Sequence, residues 1–260
     1  EEALLDPRQS NRIAALARTG AGEAALAWAD VSTGEFAVTA LVPMNIAAEI
    51  AAMAPAELLI EESGYLEAQS IAPRAALTPL PRAKYDSASA ERQLKAQFGV
   101  QELEAFGQFS KAELAALGAL LDYLSLAQAG APAKLAAPRQ AVSGSVLAVD
   151  PATRASLEID RTLAGARAGS LLDAIDETVT APGARCLAER LARPLTDPDR
   201  IERRLNSIAF FEDQDALRRD IRERLKSAGD SERALSRLLL GRGGPRDLKA
   251  LAGALGEGEL

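Results

Sequence analysis

Two hydrophobic periods divide the chain. In its first third, apolar positions come in short runs separated by turn residues; further on they recur every three or four positions. EAALAWADVS (Glu23–Ser32) and EFAVTAL (Glu35–Leu41) are apolar runs split by Ser32, Thr33 and Gly34, which predicts a β-hairpin. PMNIAAEIAAMA places Pro43 at a first helical position, ahead of apolar residues at helical spacing. ELLIEE (Glu57–Glu62) predicts a short buried strand, and the prolines of AALTPLP confine another to a sheet edge. This mixture predicts a small α/β domain.

Helical periods take over from Asp86. In DSASAERQLKAQF (Asp86–Phe98), Asp86 or Ser87 can cap the helix, and Ala90, Leu94 and Phe98 share one face. Arg92 then points nearly opposite that stripe and Gln93 lies on its flank, before Gly99 ends the helix. Ser110 and Glu113 form a capping box ahead of Leu114, Leu117, Leu121 and Leu124, and Gly130 and Pro132 break that helix. Similar punctuation recurs downstream. Asp150 precedes Pro151, Ser170 precedes Asp173, Thr180 stands before APG, and Asp197 precedes Pro198. Cys186, Leu187 and Leu191 form one predicted inward face, and Ile201, Leu205 and Ile208 another. Leu217, Ile221 and Leu225, then Leu235, Leu238 and Leu239, continue the series until GRGGPRD (Gly241–Asp247) interrupts it. The second part is therefore expected to be all-helical, with the boundary placed between residues 108 and 109.

Composition narrows the chemistry. The chain has no His and one Cys, which removes the commonest general base and metal ligand, any internal disulfide and any thiolate zinc cluster. Aromatics are only 4%, so stacking platforms for single-stranded nucleic acid are not expected and Ala, Leu, Val and Ile must fill the core. Residues 1–70 carry three basic against eleven acidic side chains, whereas residues 185–249 carry sixteen against twelve. Phosphates are thus repelled by the first part and tolerated by the second. In RIERRL and LRRDIRERLK, acids at i±3 or i±4 predict ordinary ion pairs along the helix.

The segment VDPATRASLEI, followed by RTLAGARAGSLLDAIDETVTAPGARCLAERLARPLTDPDRIERRLNSIAFF, resembles the start of the core, or lever, domain of the MutS family of DNA mismatch repair proteins. Upstream, ALAWADVSTGEF, PAELLIEE and RQLKAQFG resemble the connector domain of that family, in the same order. Two positions depart from the family pattern: Pro182 stands where Met is usual and Arg190 where Trp is common. The resemblance implies a ribonuclease-H-like α/β connector domain over residues 1–108. An incomplete all-α lever domain follows over 109–260. It also implies that ATP and Mg belong to a full-length parent, a cytoplasmic homodimer associated with the nucleoid during repair. That parent would grip mismatched double-stranded DNA through other domains and would not meet a membrane. No G-x-x-x-x-G-K-[ST] phosphate loop occurs here, so the chain is expected to need no cofactor and to catalyse nothing by itself.

The same resemblance makes Arg92, Gln93 and Gln97 the candidates for contact with MutL, the family's partner. The acidic residues leave a second reading open. Asp30 ends one predicted strand and Glu61 or Glu62 ends another, an arrangement that could hold metal ions for a nuclease. Cys186, among leucines, reads as a small core hydrophobe rather than a nucleophile. GRGGPRD lacks the Lys-Ser/Thr of a phosphate loop and reads as a hinge.

Overall fold

The computed structural model describes residues 6–127, 134–141, 146–239 and 241–258. It falls into two compact units, one of residues 11–143 and one combining 1–10 with 144–260.

The first unit is a six-stranded mixed sheet covered on both faces. Strands β1 (Arg12–Arg18), β2 (Ala24–Asp30) and β3 (Glu35–Leu41) form an antiparallel meander. The β2–β3 hairpin closes with Asp30 opposite Glu35, and Gly34 takes a left-handed φ of 76° in the turn. Helix α1 (Ile46–Met53) follows a short turn begun by Pro43. Strand β4 (Glu57–Glu61), helix α2 (Tyr65–Ile71) and strand β5 (Ala76–Leu80) come next, with β4 parallel to both β1 and β5. A short strand β6 (Arg139–Gln140) completes the order β5-β4-β1-β2-β3-β6. As its prolines require, β5 lies at an edge.

The strand at the centre of this sheet, RIAALAR, has no strand-like signature. Its alanines favour helix in isolation, but pairing with β2 on one side and β4 on the other outweighs propensity. Alternation then sorts the residues. Ala15, Ala17, Ala25, Ala27, Ala29, Phe36 and Val38 face helices α3 (Ser87–Phe98) and α4 (Lys111–Ala127). Ala14, Leu16, Leu26 and Trp28 face α1 and α2.

Helix α4 corrects the boundary expected at residues 108 and 109. Its capping box forms as expected: Glu113 N–H donates to Ser110 Oγ at 3.2 Å and Ser110 N–H to Glu113 Oε2 at 2.8 Å. Yet the helix covers the sheet rather than opening the helical part. Ala112, Ala116, Leu117, Ala119 and Leu120 are all fully buried, and a helix apolar almost all round needs neighbours on more than one side. The sheet supplies one and α3 the other. The chain leaves this unit only near residue 143. The break expected at Gly130 and Pro132 lies outside the described residues.

The second unit contains α5 (Pro151–Ser156), α6 (Leu171–Ile175), α7 (Ala181–Ala192), α8 (Pro198–Asp213), α9 (Asp215–Ser227), α10 (Ser231–Leu239) and α11 (Pro245–Gly258). Predicted caps hold at four starts. Asp150 accepts from Ala152 N and Thr153 N, Ser170 from Asp173 N, Thr180 from Gly183 N, and Asp197 from Asp199 N and Arg200 N. A Cβ at Gly183 would sit 2.8 Å from Thr180 Oγ1, so the glycine is what lets that cap close.

The stripe expected to be buried on α8 is exposed. Ile201, Leu205 and Ile208 are 37%, 53% and 62% accessible. Leu217, Leu225, Leu235 and Leu239 are likewise exposed.

Helices α3 and α4 meet tightly at Gly118, where an added Cβ would lie 2.3 Å from Ala90 Cβ. Helix propensity alone makes Gly118→Ala stabilising by about 1 kcal/mol. Here the methyl must push α3 away, so the substitution is expected to destabilise by about 1–3 kcal/mol. Thermal unfolding checks the sign, and adding Ala90→Gly should recover part of the loss.

Candidate partner-binding surface

Helix α3 carries the three residues singled out for partner contact, and both of its ends are fixed. Asp86 accepts from Ser89 N at 2.8 Å, and Gly99 closes the far end with a left-handed φ of 65°. Its inner face is locked by Ala90 and Leu94, 1% and 0% exposed. Phe98 stacks on Phe36 from the sheet, their ring centroids 6.3 Å apart. On the outer side, Lys95 pairs with Glu91 at 2.9 Å and Glu102 at 2.8 Å. Those bonds, the one to Glu102 first, raise the pKa of the lysine.

Arg92 and Gln93 are exposed on this rigid rod, and neither has a side-chain partner among the described residues. Gln97 differs. It is half-buried and already engaged within the molecule, so it sits at the margin of the surface. The helical wheel therefore placed Arg92 and Gln93 correctly on the solvent side.

The carboxylates considered for metal binding are not brought together. Asp30 pairs with Arg12 at the start of β1, whereas Glu61 ends β4, four residues beyond the Glu57 that pairs with Ile13. At about 3.3 Å per residue they stand roughly 15 Å apart, at opposite ends of the sheet. Asp30 is 3% exposed and is consumed by the turn: it accepts from Asn11 N at 3.1 Å, Ser32 N at 2.9 Å and the Ser32 hydroxyl. Glu61 accepts from Ser63 Oγ at 2.9 Å, and Glu62 is exposed. No group of three or more potential metal ligands occurs among the described residues. Strand order, which local sequence does not disclose, removes the nuclease arrangement.

Cys186 is also corrected. It is exposed, and the neighbouring Arg185 is buried in its place. Arg185 is drawn inward by Asp230, with bonds of 2.7 and 3.2 Å, and by Pro7 O at 2.9 Å. One residue on is a 100° turn of the helix, which carries the thiol outward. Arg233, also buried, donates to Pro7 O at 3.1 Å and Gln9 O at 2.6 Å. Nearby, Asp176 accepts from Arg8, Arg167 and Thr178. These clamps hold residues 6–10 against the helices of their unit. Periodicity gave no signal for them, because each joins residues far apart in sequence.

The run LRRDIRERLK forms the ion pairs expected of it, whereas RIERRL forms none among the described residues. Arg218 and Arg219 pair with Asp215, Arg224 with Asp220 and Lys226 with Glu223. In GRGGPRD, Asp247 accepts from Gly244 N at 2.8 Å and from Arg237 Nε at 2.8 Å, so this loop is tied down.

Comparison with known families completes the assignment. The family model described as MutS domain II matches residues 11–136, and that for MutS domain III matches residues 152–260. The chain belongs to the MutS family. The DNA mismatch repair protein MutS of Rhodopseudomonas palustris (strain BisB5) is 47% identical over 258 residues, covering 96% of this chain and 28% of that protein. Those of Cereibacter sphaeroides (strain ATCC 17029) and Caulobacter sp. (strain K31) are 46% and 48% identical, each over 100% of this chain and 29% of the relative. The chain thus spans less than a third of the length of these MutS relatives. The domain II match ends beyond α4, in accord with the placement of that helix on the sheet. No described helix is long and apolar enough to cross a membrane.

Two expectations follow from this geometry. Burial opposes the charge of Asp176, but the Thr178, Arg8 and Arg167 bonds outweigh it and hold the carboxyl below its ordinary value of 3.8. A carboxyl depressed on folding stabilises above its unfolded pKa and loses that effect as pH falls through the folded one. Asp176→Asn should therefore destabilise by about 2 kcal/mol near neutrality. Its deficit relative to the parent should shrink below about pH 4, read by denaturant titration across pH. Second, a thiol reagent should label Cys186 stoichiometrically in the folded chain; protection until denaturant is added would contradict its outward placement.

Proposed function

We propose that this chain is the connector and first lever portion of a mismatch repair ATPase. In that role it relays nucleotide state to the grip on mismatched DNA and offers the outer face of α3 to MutL. The observation that carries the proposal is the presentation of Arg92 and Gln93. They project without partners from a helix whose inner face and both ends are fixed. A preformed, rigid contact element loses little freedom on binding.

The sheet supports a ribonuclease-H-like connector: β1–β3 run antiparallel, and β4 and β5 extend the sheet in parallel from β1. The second unit suits a lever. Short capped helices joined by tight turns, such as RPLTDP between α7 and α8, move as rigid bodies about few joints. ATP and Mg would be handled by other parts of a homodimeric full-length protein, as would the grip on mismatched double-stranded DNA. The protein would work in the cytoplasm, at the nucleoid.

The test is binding to the N-terminal domain of MutL, comparing this chain with its Arg92→Glu variant. Charge reversal at the centre of a contact should weaken binding by roughly tenfold or more. Arg74→Glu, between α2 and β5 rather than on α3, provides the control for net charge. Equal weakening by both variants, or none by Arg92→Glu, would remove α3 from the interface.

A further inference from the structure

Strands β4 and β5 are parallel neighbours, but the chain leaves them toward opposite faces. Helix α2 follows β4 onto the face holding Trp28, whereas the turn Arg82–Tyr85 and α3 follow β5 onto the face holding Phe36. Parallel neighbours that part in this way leave a crevice beyond their carboxyl ends, the usual ligand position in an open α/β sheet. Here the crevice has a volume of about 680 Å³, and its walls include Arg18, Thr19, Arg82, Tyr85 and Lys111.

The wall chemistry is lopsided toward donors. Arg82 and Lys111 have no acidic partner among the described residues, whereas Arg18 is already held by both oxygens of Glu67 at 2.6 and 2.7 Å. The hydroxyls of Tyr85 and Thr19 are withdrawn from solvent yet have no hydrogen-bond partner among the described residues. Burial, and then the nearby Glu61 carboxylate, raise the pKa of the Tyr85 phenol, so near neutrality it keeps its proton and can donate. Two acids line the crevice as well, each held locally: Glu61 accepts from Ser63 Oγ and Asp86 from Ser89 N.

We propose that this crevice binds a small phosphoanion, held by Arg82 and Lys111, with the Tyr85 and Thr19 hydroxyls closing on its oxygens. Two cations and two hydroxyls in one crevice suit the higher charge and three or more oxygens of a phosphate better than a single carboxylate. The choice of a compact ligand over a nucleic acid strand rests on charge. Residues 11–70 of the same unit carry Arg12 and Arg18 against eight acidic side chains, so an extended polyanion is repelled where a compact one is not. The proposal is independent of the MutL surface, which lies further along α3.

Pyrophosphate is the first probe, titrated calorimetrically into the full chain at low salt. Saturable binding is expected, reduced about tenfold by Tyr85→Phe and abolished by Arg82→Ala combined with Lys111→Ala. Arg82 and Lys111 are exposed, so the double variant should fold, which circular dichroism verifies. Chemical-shift changes confined to residues around the crevice would support the site. Absence of heat and of shift changes up to about 10 mM pyrophosphate would overturn it, as would binding untouched by the double variant. Preferential binding of an oligothymidylate through the same residues would overturn the choice of a compact ligand.

Discussion

Small side chains at the centre of the sheet set the dimensions of the first unit. Ala14, Ala15, Ala17, Ala25, Ala27 and Ala29 are all at most 2% exposed. Toward α3 and α4, Ala15, Ala17, Ala25, Ala27 and Ala29 offer only methyl groups, so bulk comes from Leu94, Leu117 and Leu120 of the helices. The other face adds its own Leu16, Leu26 and Trp28 to Ile46, Ile50 and Met53. The helices settle close to the sheet, and one consequence is the contact of α3 with α4 at Ala90 and Gly118. Close-packed interiors have little slack, so a methyl group added there cannot be absorbed locally. The outer face of α3 is thus positioned by packing two layers beneath it.

The second unit rests on a different balance. Helices α8 and α9 have no buried residue among those described, so little apolar area is available there. Order comes instead from arginines that reach across the chain. Arg154 donates to Ala192 O at 2.6 Å, Arg185 bridges Asp230 and Pro7 O, and Arg233 takes Pro7 O and Gln9 O. Asp230 shows how these bonds win over burial. Desolvation raises its pKa, yet the Arg185 and Arg233 contacts bring the net shift downward. Guanidinium groups suit this duty because their several donors can satisfy a carboxylate and a backbone carbonyl together. Removing one partner would leave a buried group unpaired, which is costlier than the bond itself is stabilising.

What could be read from sequence follows the range of the interaction. Caps at Asp86, Ser110, Asp150, Ser170, Thr180 and Asp197 were legible, because each is a side chain meeting a backbone N–H two or three residues away. So was the outward direction of Arg92 and Gln93, a matter of helical phase. The strand β1 was not, since its alanines carry no period-two contrast and its structure is imposed by two partners. Helix α4 was placed in the wrong unit for the same reason: its capping box and leucine spacing define a helix but do not say what it covers. Cys186 was inverted because the bonds that bury Arg185 come from Asp230 and Pro7, on which local pattern is silent. The separation of Asp30 from Glu61 belongs here too. Both do end strands, but only the parallel alignment of β4 with β1 puts them at opposite ends.

That alignment also has a constructive consequence. Because β4 runs parallel to β1, the carboxyl ends of β1, β4 and β5 gather at one edge, where Arg18, Glu61 and Leu80 end their strands. Asp30 lies away from that edge and serves the hairpin. Just where α2 and α3 diverge, this edge keeps two cations without acidic partners, Arg82 and Lys111, and two hydroxyls without acceptors among the described residues, Thr19 and Tyr85. In a sheet whose other polar ends are consumed by turns and caps, this is where the fold leaves room for a ligand.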